Sequence, residues 1–214
     1  MATPVVVRSG KEPRSRARSL EIPRRAPRQA RARASYDAIL DATARILLDE
    51  SLGGLTTNKV AETAGVGIAT LYAYFADKDA LLIALARRIL EEDRKSVLAA
   101  LETNPTDKGF AGRIIDAVVT NHTRDPYLRR TTLNALIGAG GASEIAHHAE
   151  TVVQVIANRA ETLGNRAEAM DAARMFVVTR AVLGVARAIT NEPENLPELS
   201  RVREELVRLV ELFV

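Results

Sequence analysis

Arginine is concentrated at the amino terminus of the chain, where its side chains could bind a polyanion. Residues 1–33 carry ten basic side chains against Glu12 and Glu21, so this segment has a net charge of +8, whereas the whole chain has only +3. The remaining residues therefore carry −5. A basic arm on a neutral or acidic body is common in nucleic-acid-binding proteins, because clustered arginines displace counterions from phosphates. The same segment also fits a solvated, disordered tail.

Residues that could do catalytic chemistry form no recognisable constellation. The chain has no cysteine, which excludes disulfides, thiolate metal sites and cysteine nucleophiles. His147 and His148 lie near Glu144, but adjacent residues on a helix diverge by about 100°, and only Glu144 and His148 share a face. Two glycine-rich stretches, residues 65–70 and 138–141, follow no predicted strand, so neither is a dinucleotide-binding loop. We therefore expect neither an enzyme nor a cofactor or metal site.

The composition is that of a helical, globular protein. Hydrophobic residues make up 47% and charged residues 27% of the 214 positions. Alanine, leucine, arginine and glutamate dominate, and these residues favour helix over sheet. No apolar run approaches the roughly 20 residues needed to span a bilayer, and no apolar segment follows the basic amino terminus as in a signal peptide. We expect no membrane partner and a cytoplasmic location.

Apolar residues recur at helical spacing from Ser35 onward, and strand-like alternation is absent. Ser35 can cap a first helix that ends at Gly53 and Gly54, and Asp77 can cap a fourth that runs toward Leu98. Two short helices lie between them. Further helices are predicted at about 108–123, 127–138, 143–163, 167–190 and 197–213. The pattern predicts an all-α fold of about nine helices, without internal repeats.

The two short helices fall between residues 55 and 78 and are joined by a glycine. Thr56 or Thr57 can cap the first of them, and Gly65 ends it. Leu71 and Phe75 mark the inner face of the second. Such a pair is typical of a helix-turn-helix, whose second helix can enter the DNA major groove.

Residues 35–85 resemble the amino-terminal domain of the TetR family of transcriptional regulators. The shared features are Thr56-Thr57, Val60-Ala61, Ala64-Gly65-Val66, Thr70-Leu71-Tyr72, Tyr74-Phe75, Lys78 and Leu81-Leu82. The resemblance implies a helix-turn-helix domain at 34–80, after a basic disordered arm at 1–33, and a helical ligand-binding and dimerisation domain at 81–214. Over the last two thirds of the chain, only the number and length of the helices match the family.

The resemblance also implies contacts with double-stranded DNA, residue by residue. Thr57 and Asn58 would touch phosphate at the start of the second helix, and Lys78 would pair with phosphate. Tyr72 and Tyr74 would touch phosphate or sugar. The expected DNA-binding residues are Thr57, Asn58, Gly67, Ile68, Ala69, Thr70, Tyr72, Ala73, Tyr74 and Lys78, together with Arg28, Arg31 and Arg33 of the arm.

The third helix has an unusual outer face for a helix that reads bases. A helical wheel places Ala69 and Ala73 opposite the buried Leu71 and Phe75. Alanine cannot form bidentate hydrogen bonds with guanine or adenine, although it can meet thymine methyl groups. Family members with glutamine, arginine or lysine differ here, and Gly67 stands where serine is common.

We therefore expect affinity to depend mainly on phosphate contacts. Thr70 would face a base edge or the backbone, and specificity would be shared among Asn58, Thr70, Tyr72 and the arm. Minor-groove contacts from the arm would come from Arg28, Arg31 or Arg33.

In the family, the last two long helices form the dimer interface, and here they are predicted at 167–190 and 197–213. Their apolar stripes are Met175, Val178, Ala181, Val182 and Val185 in one helix, and Leu199, Val202, Leu206, Leu209, Val210 and Phe213 in the other. Pairing these stripes across a two-fold axis gives a four-helix bundle and a homodimer suited to a palindromic operator. Packing within one chain is the alternative.

The family also has a ligand pocket in this region. Candidate lining residues are Phe110, Ile114, His122, Tyr127, Leu133, Met170, Met175 and Phe176. Their apolar character favours a small, largely hydrophobic ligand, although residue type alone favours plain core packing for each of them. The resulting hypothesis is a repressor that such a ligand releases from a palindromic operator. The alternative is a constitutive or architectural DNA-binding protein without an effector, favoured by the long basic arm.

Overall fold

The computed structural model describes residues 30–102, 109–162 and 172–212, and regular secondary structure in these residues is entirely helical. The nine α-helices of this part are α1 (Ala30–Gly54), α2 (Thr57–Thr63), α3 (Ile68–Tyr74), α4 (Lys78–Glu102), α5 (Phe110–Thr123), α6 (Pro126–Gly138), α7 (Ala142–Thr162), α8 (Ala172–Asn191) and α9 (Leu199–Glu211). A 3₁₀ turn at Pro193–Asn195 links the last two. The predicted all-α fold of about nine helices is confirmed.

Helix α1 differs from its prediction at its start. It begins at Ala30, so residues 30–33, which were assigned to the arm, are helical. Ser35 does not cap the helix, because its hydroxyl donates to the carbonyl of Arg31 at 3.2 Å. Alanine and arginine have high helix propensity, which accounts for the earlier start. The far end is irregular, since Ser51 has a positive φ of 60° before the helix ends at Gly54.

Helices α1 to α4 enclose the first part of the core. Ile39, Leu47, Val60, Leu71 and Phe75 are fully buried in it. Its remaining members include Leu81, Leu82 and Leu85 of α4 and Leu128 of α6. Helix α4 therefore packs against the helix-turn-helix beyond the predicted boundary at residue 80.

The rest of α4 packs against α5, α6 and α7. Ile83, Leu90 and Leu136 form a buried cluster between α4, α6 and the loop before α7. An ion pair from Arg87 to Glu144, 2.7 Å between Nε and Oε1, joins α4 to α7. Helix α4 thus connects the helix-turn-helix directly to the carboxyl-terminal helices.

The apolar stripes of α8 and α9 pack within the chain. Leu206 and Val210 are buried beside Ile115 of α5 and Ile189 of α8. Partly buried side chains packed on the same cluster include Val178, Val182, Val185, Leu199 and Val202. Helix α5 therefore covers part of each stripe, and the stripe residues that remain partly exposed leave the predicted dimer interface a prediction. Phe213 lies outside the described residues, as does the predicted start of α8 at residue 167.

Candidate nucleic-acid interface

Helix α2 and the turn after it are fixed by local hydrogen bonds. The hydroxyl of Thr56, rather than that of Thr57, caps α2 by accepting the Lys59 N–H at 3.2 Å. Gly65 has a φ of +65°, which costs a glycine little. The N–H of Val66 then donates to the carbonyl of Ala61 at 3.0 Å and closes the turn. The angle between α2 and α3 is therefore set by the backbone.

Helix α3 presents one face to the core and the other to solvent. Leu71 and Phe75 are fully buried, as the helical wheel predicts. Ala69, Thr70 and Ala73 are exposed, and so are Ile68 and Tyr72, at 38% and 45%. The outer face of α3 therefore consists of the predicted residues, and it is mainly apolar.

Two hydroxyl groups on α3 are held by other parts of the domain. Tyr72 and Thr57 share a hydrogen bond of 3.0 Å between their hydroxyl oxygens, which links α3 to the start of α2. The hydroxyl of Tyr74 donates to the carbonyl of Ala32 at 3.3 Å. Thr57 is half-buried, whereas the neighbouring Asn58 is exposed. Asn58 is therefore the freer of the two residues predicted at the start of α2.

The last residues of the basic arm lie against the end of α3. Tyr36 of α1 packs on Phe75 and Tyr74, with ring centroids 5.1 and 5.8 Å apart, and burial raises the pKa of Tyr36. Arg31 and Arg33 are exposed in the first turn of α1, on either side of the Ala32 carbonyl that Tyr74 contacts. Arg28 lies outside the described residues.

Basic side chains also surround α2 and the start of α4. The ammonium of Lys78 donates to the carbonyl of Leu52 at 3.2 Å, at the irregular end of α1. Asp77 caps α4 as predicted, because its Oδ1 accepts the Ala80 N–H at 2.8 Å. Arg45, which the sequence did not single out, donates to the carbonyl of Thr63 at 3.2 Å. Lys78 and Arg45 both keep donors for phosphate, since one hydrogen bond leaves further N–H groups on each.

Those predicted pocket residues whose side chains the structure describes are not gathered into one place. Ile114 is buried against Val97 and Leu101, and Leu133 packs on a separate cluster between α4 and α6. Phe176 is 60% exposed on α8. Phe110 and Met175 lie in α5 and α8, but their side chains are outside the described part of the structure, as is Met170.

A cleft of about 310 Å³ lies between α4 and the corner that joins α5 to α6. Its lining is mostly polar and of mixed charge: Ile89, Glu92, Asp93, Ser96, Asn121, Arg124, Asp125, Leu128 and Arg129. Arg129 is only 5% exposed and forms an ion pair with Asp93, in which its Nη2 donates to both carboxylate oxygens at 2.5 and 2.7 Å. None of the predicted pocket residues with a described side chain lines this cleft.

Tyr127 lies at the start of α6 and touches α1 rather than a pocket. Its hydroxyl accepts the Leu52 N–H at 2.9 Å, and this donor lowers the pKa of the Tyr127 phenol. Leu52 also accepts from Lys78 through its carbonyl. One peptide segment thus connects α6 to a residue predicted to bind phosphate, a contact that spans 75 positions and has no local sequence signal.

No group of three or more His, Asp or Glu side chains in the described residues could hold a metal ion. His147 is exposed and His148 half-buried on α7. In the same part of the chain, no helix is both long and apolar enough to cross a membrane.

Two short helices at a fixed angle, with an exposed face on the second and basic groups beside it, define a helix-turn-helix DNA-binding protein. A family model described as bacterial regulatory proteins of the tetR family matches residues 39–85, and one described as tetracyclin repressor-like, C-terminal domain, matches residues 109–212. Together they cover more than two thirds of the chain. The chain belongs to the TetR family of transcriptional regulators, and its helix-turn-helix is the DNA-binding domain.

Individual proteins agree with this assignment. The HTH-type transcriptional regulator BetI of Rhizobium meliloti (strain 1021) is 35% identical over 78 residues, which are 36% of this chain and only 38% of BetI. The fatty acid degradation regulator FadR of Bacillus halodurans superposes over 82% of this chain and 94% of its own, with a TM-score of 0.61 and 17% identity. The multidrug binding protein EbrR, complexed with malachite green, covers 85% and 98%, with a TM-score of 0.57 and 22% identity. These structures show that the fold is shared.

Proposed function

We propose that the protein is a repressor that binds a palindromic operator as a homodimer and leaves it when a small molecule binds. The observation that carries the DNA-binding half is the exposed outer face of α3 on a rigid frame, with Lys78 held against the end of α1 at the start of α4. A helix held in this way can keep its side chains in register with base edges. The resemblance to the family supplies the expectation of repression.

The homodimer is proposed from what remains exposed on α8. Phe176 and Val177 are 60% and 53% exposed, although both are large and apolar. The guanidinium of Arg180 lies 5.1 Å from the Phe176 ring centroid and so extends the same surface. Two copies of this surface, related by a two-fold axis, would bury these side chains. A dimer then presents two α3 helices to one side of the duplex.

The effector is proposed from the domain organisation and from the cleft between α4, α5 and α6. EbrR, which shares the fold, is described as a multidrug binding protein. The sequence favours a largely hydrophobic effector, whereas the lining of this cleft suits a small polar one. Asp125 and Arg129 of the cleft flank Tyr127, which contacts Leu52. A molecule that moved the start of α6 would therefore disturb α1 next to Lys78.

A constitutive DNA-binding protein without an effector is the second candidate. It is favoured by the ten basic side chains in residues 1–33, which could bind any duplex. The two candidates differ in what they protect on DNA. A repressor protects one short palindrome, and an architectural protein coats duplexes of any sequence.

The test is selection of binding sites from a random duplex pool with the full-length protein, followed by footprinting of the enriched sequence. We expect one palindromic sequence to be enriched and protected. On that duplex, Lys78→Gln should weaken binding and lower the slope of log K against log salt by about 0.9 for each phosphate that the variant leaves without a cation. Recovery of no preferred sequence would contradict the repressor.

The matched control is Lys95→Gln. Lys95 lies on the same helix, and its side chain is 68% exposed, but it is more than four turns from the start of α4. The control should leave both the affinity and the salt slope unchanged. Equal effects of the two substitutions would mean that Lys78 acts only through net charge.

A further inference from the structure

The outer face of α3 is mainly apolar. Ile68, Ala69 and Ala73 are exposed along it, and the preceding Gly67 has no side chain. A Cβ added at Gly67 would meet only the hydroxyl of Thr70, at 3.9 Å, so the first turn of α3 leaves room for close approach to another surface. Such a face can lie flat in a groove, but it offers the base edges almost no hydrogen-bonding group.

The hydroxyl groups of α3 add little hydrogen-bonding capacity toward the base edges. Tyr72 is bonded to Thr57, and Tyr74 is bonded to the backbone of α1. Within the described residues, Thr70 is the remaining hydroxyl of α3, and a single hydroxyl does not distinguish one base pair from another. Its γ-methyl group adds to the apolar face. Hydrogen-bonded reading through α3 is therefore limited to hydroxyl groups, which are weakly selective.

We propose that α3 selects its DNA by apolar contact with thymine 5-methyl groups in the major groove. The proposal rests on the proposed DNA-binding function and names the feature of the duplex that α3 reads. The thymine methyl is the one apolar group that unmodified base pairs present in the major groove. If α3 lies close to the bases, its alanine and isoleucine side chains would exclude water from the thymine methyl group. The preferred site then carries thymines opposite Ile68, Ala69 or Ala73.

Replacing thymine by deoxyuridine tests this contact in isolation. The replacement removes the methyl group and leaves every hydrogen-bonding group of the base pair in both grooves. Binding of the arm in the minor groove would not change on this replacement, because thymine and uracil present the same O2 acceptor there. A loss of affinity on this replacement therefore reports on a contact with the methyl group in the major groove.

The experiment uses the full-length protein and the duplex recovered by selection, with each thymine replaced singly by deoxyuridine. We expect the affinity to fall about fourfold for each contacted methyl, the amount that corresponds to about one buried CH₂ group. Thymines in the flanking sequence should give no change. Full affinity at every replaced position would overturn the proposal, whereas failure of the selection to yield any preferred duplex would instead overturn the proposed function.

A substitution in the protein identifies the partner of the methyl. In the Ala69→Gly variant, the ratio of affinities for the thymine and uracil duplexes should approach one at the position that faces residue 69. The ratio is taken within one variant, so a general weakening of α3 by glycine cancels. Ala99→Gly, at an exposed alanine of α4, provides the matched control and should keep the full ratio. Retention of the full ratio at every thymine by Ala69→Gly would contradict a contact through that side chain.

Discussion

At the residue scale, His122 illustrates how burial sets the chemistry of the second domain. Its Nδ1 lies 2.9 Å from the carbonyl of Val118, one turn earlier in α5, and therefore carries the proton. Burial and the nearby charge of Arg129 lower the pKa of His122 from 6.5 to about 4, and the Val118 carbonyl and Asp93 oppose them only in part. The sequence predicts His122 as a candidate lining residue of the ligand pocket. It lies half-buried against the α5–α6 corner.

This histidine should make folding pH-dependent. The unfolded chain takes up the proton near pH 6.5 and the folded chain only near pH 4, so the stabilisation from neutral His122 is complete above about pH 6.5 and is lost as the pH falls toward 4. Between about pH 7.5 and pH 5 the loss amounts to about 2 kcal/mol. Urea unfolding at both pH values measures it.

The variant His122→Asn should lose that part of the pH dependence, because an amide does not titrate. His147→Asn removes an exposed histidine from α7 and should behave as the unchanged protein does. If His122→Asn shows the same difference between the two pH values as the unchanged protein, burial of neutral His122 is not the cause.

At the scale of elements, the start of α1 connects the basic arm to the recognition helix. Arg31 and Arg33 lie on α1 on either side of Ala32, whose carbonyl accepts the hydrogen bond from Tyr74 of α3. The first turn of α1 therefore lies close to the end of α3. This placement supports the expectation that the arm reaches DNA next to the site read by α3.

Deletion of residues 1–29 removes eight of the ten basic side chains and leaves α1 whole. We expect weaker binding to the selected duplex and a shallower dependence of log K on log salt, by about 0.9 for each phosphate no longer neutralised. Thermal unfolding of the truncated protein should be unchanged and serves as the control for folding. Unchanged affinity together with an unchanged salt slope would show that the arm does not bind DNA.

The sequence predicts the elements that have local determinants, but it does not predict the contacts between distant elements. The helix-turn-helix is predictable because its determinants are local: the Asp77 cap, the turn at Gly65, and the spacing of Leu71 and Phe75. Periodicity identified the apolar faces of α8 and α9 equally well, but it does not show what covers a face. Within the chain, α5 covers part of both faces, a contact that periodicity alone does not predict. The link from Tyr127 to Leu52 joins distant positions and leaves no pattern at all.

At the scale of the whole molecule, the proposed regulator needs two copies held at a fixed spacing. The exposed apolar residues of α8 form the surface proposed to hold the two copies together. Helix α4 packs against both the helix-turn-helix and the carboxyl-terminal helices, so it links their positions. A monomer would offer one α3 helix and recognise only one half of a palindrome. Recognition of both halves together is therefore what separates this account from one in which single chains bind DNA independently.

The measurement that tests this most directly compares the selected palindrome with a duplex in which one half has been scrambled. We expect two chains on the intact palindrome and binding at least about 100-fold weaker to the scrambled duplex, because the second half-site is engaged at high effective concentration. Val177→Asp, which places a charge on the exposed face of α8, should abolish the advantage of the palindrome without unfolding the chain. Equal affinity of the unchanged protein for the two duplexes would contradict the account.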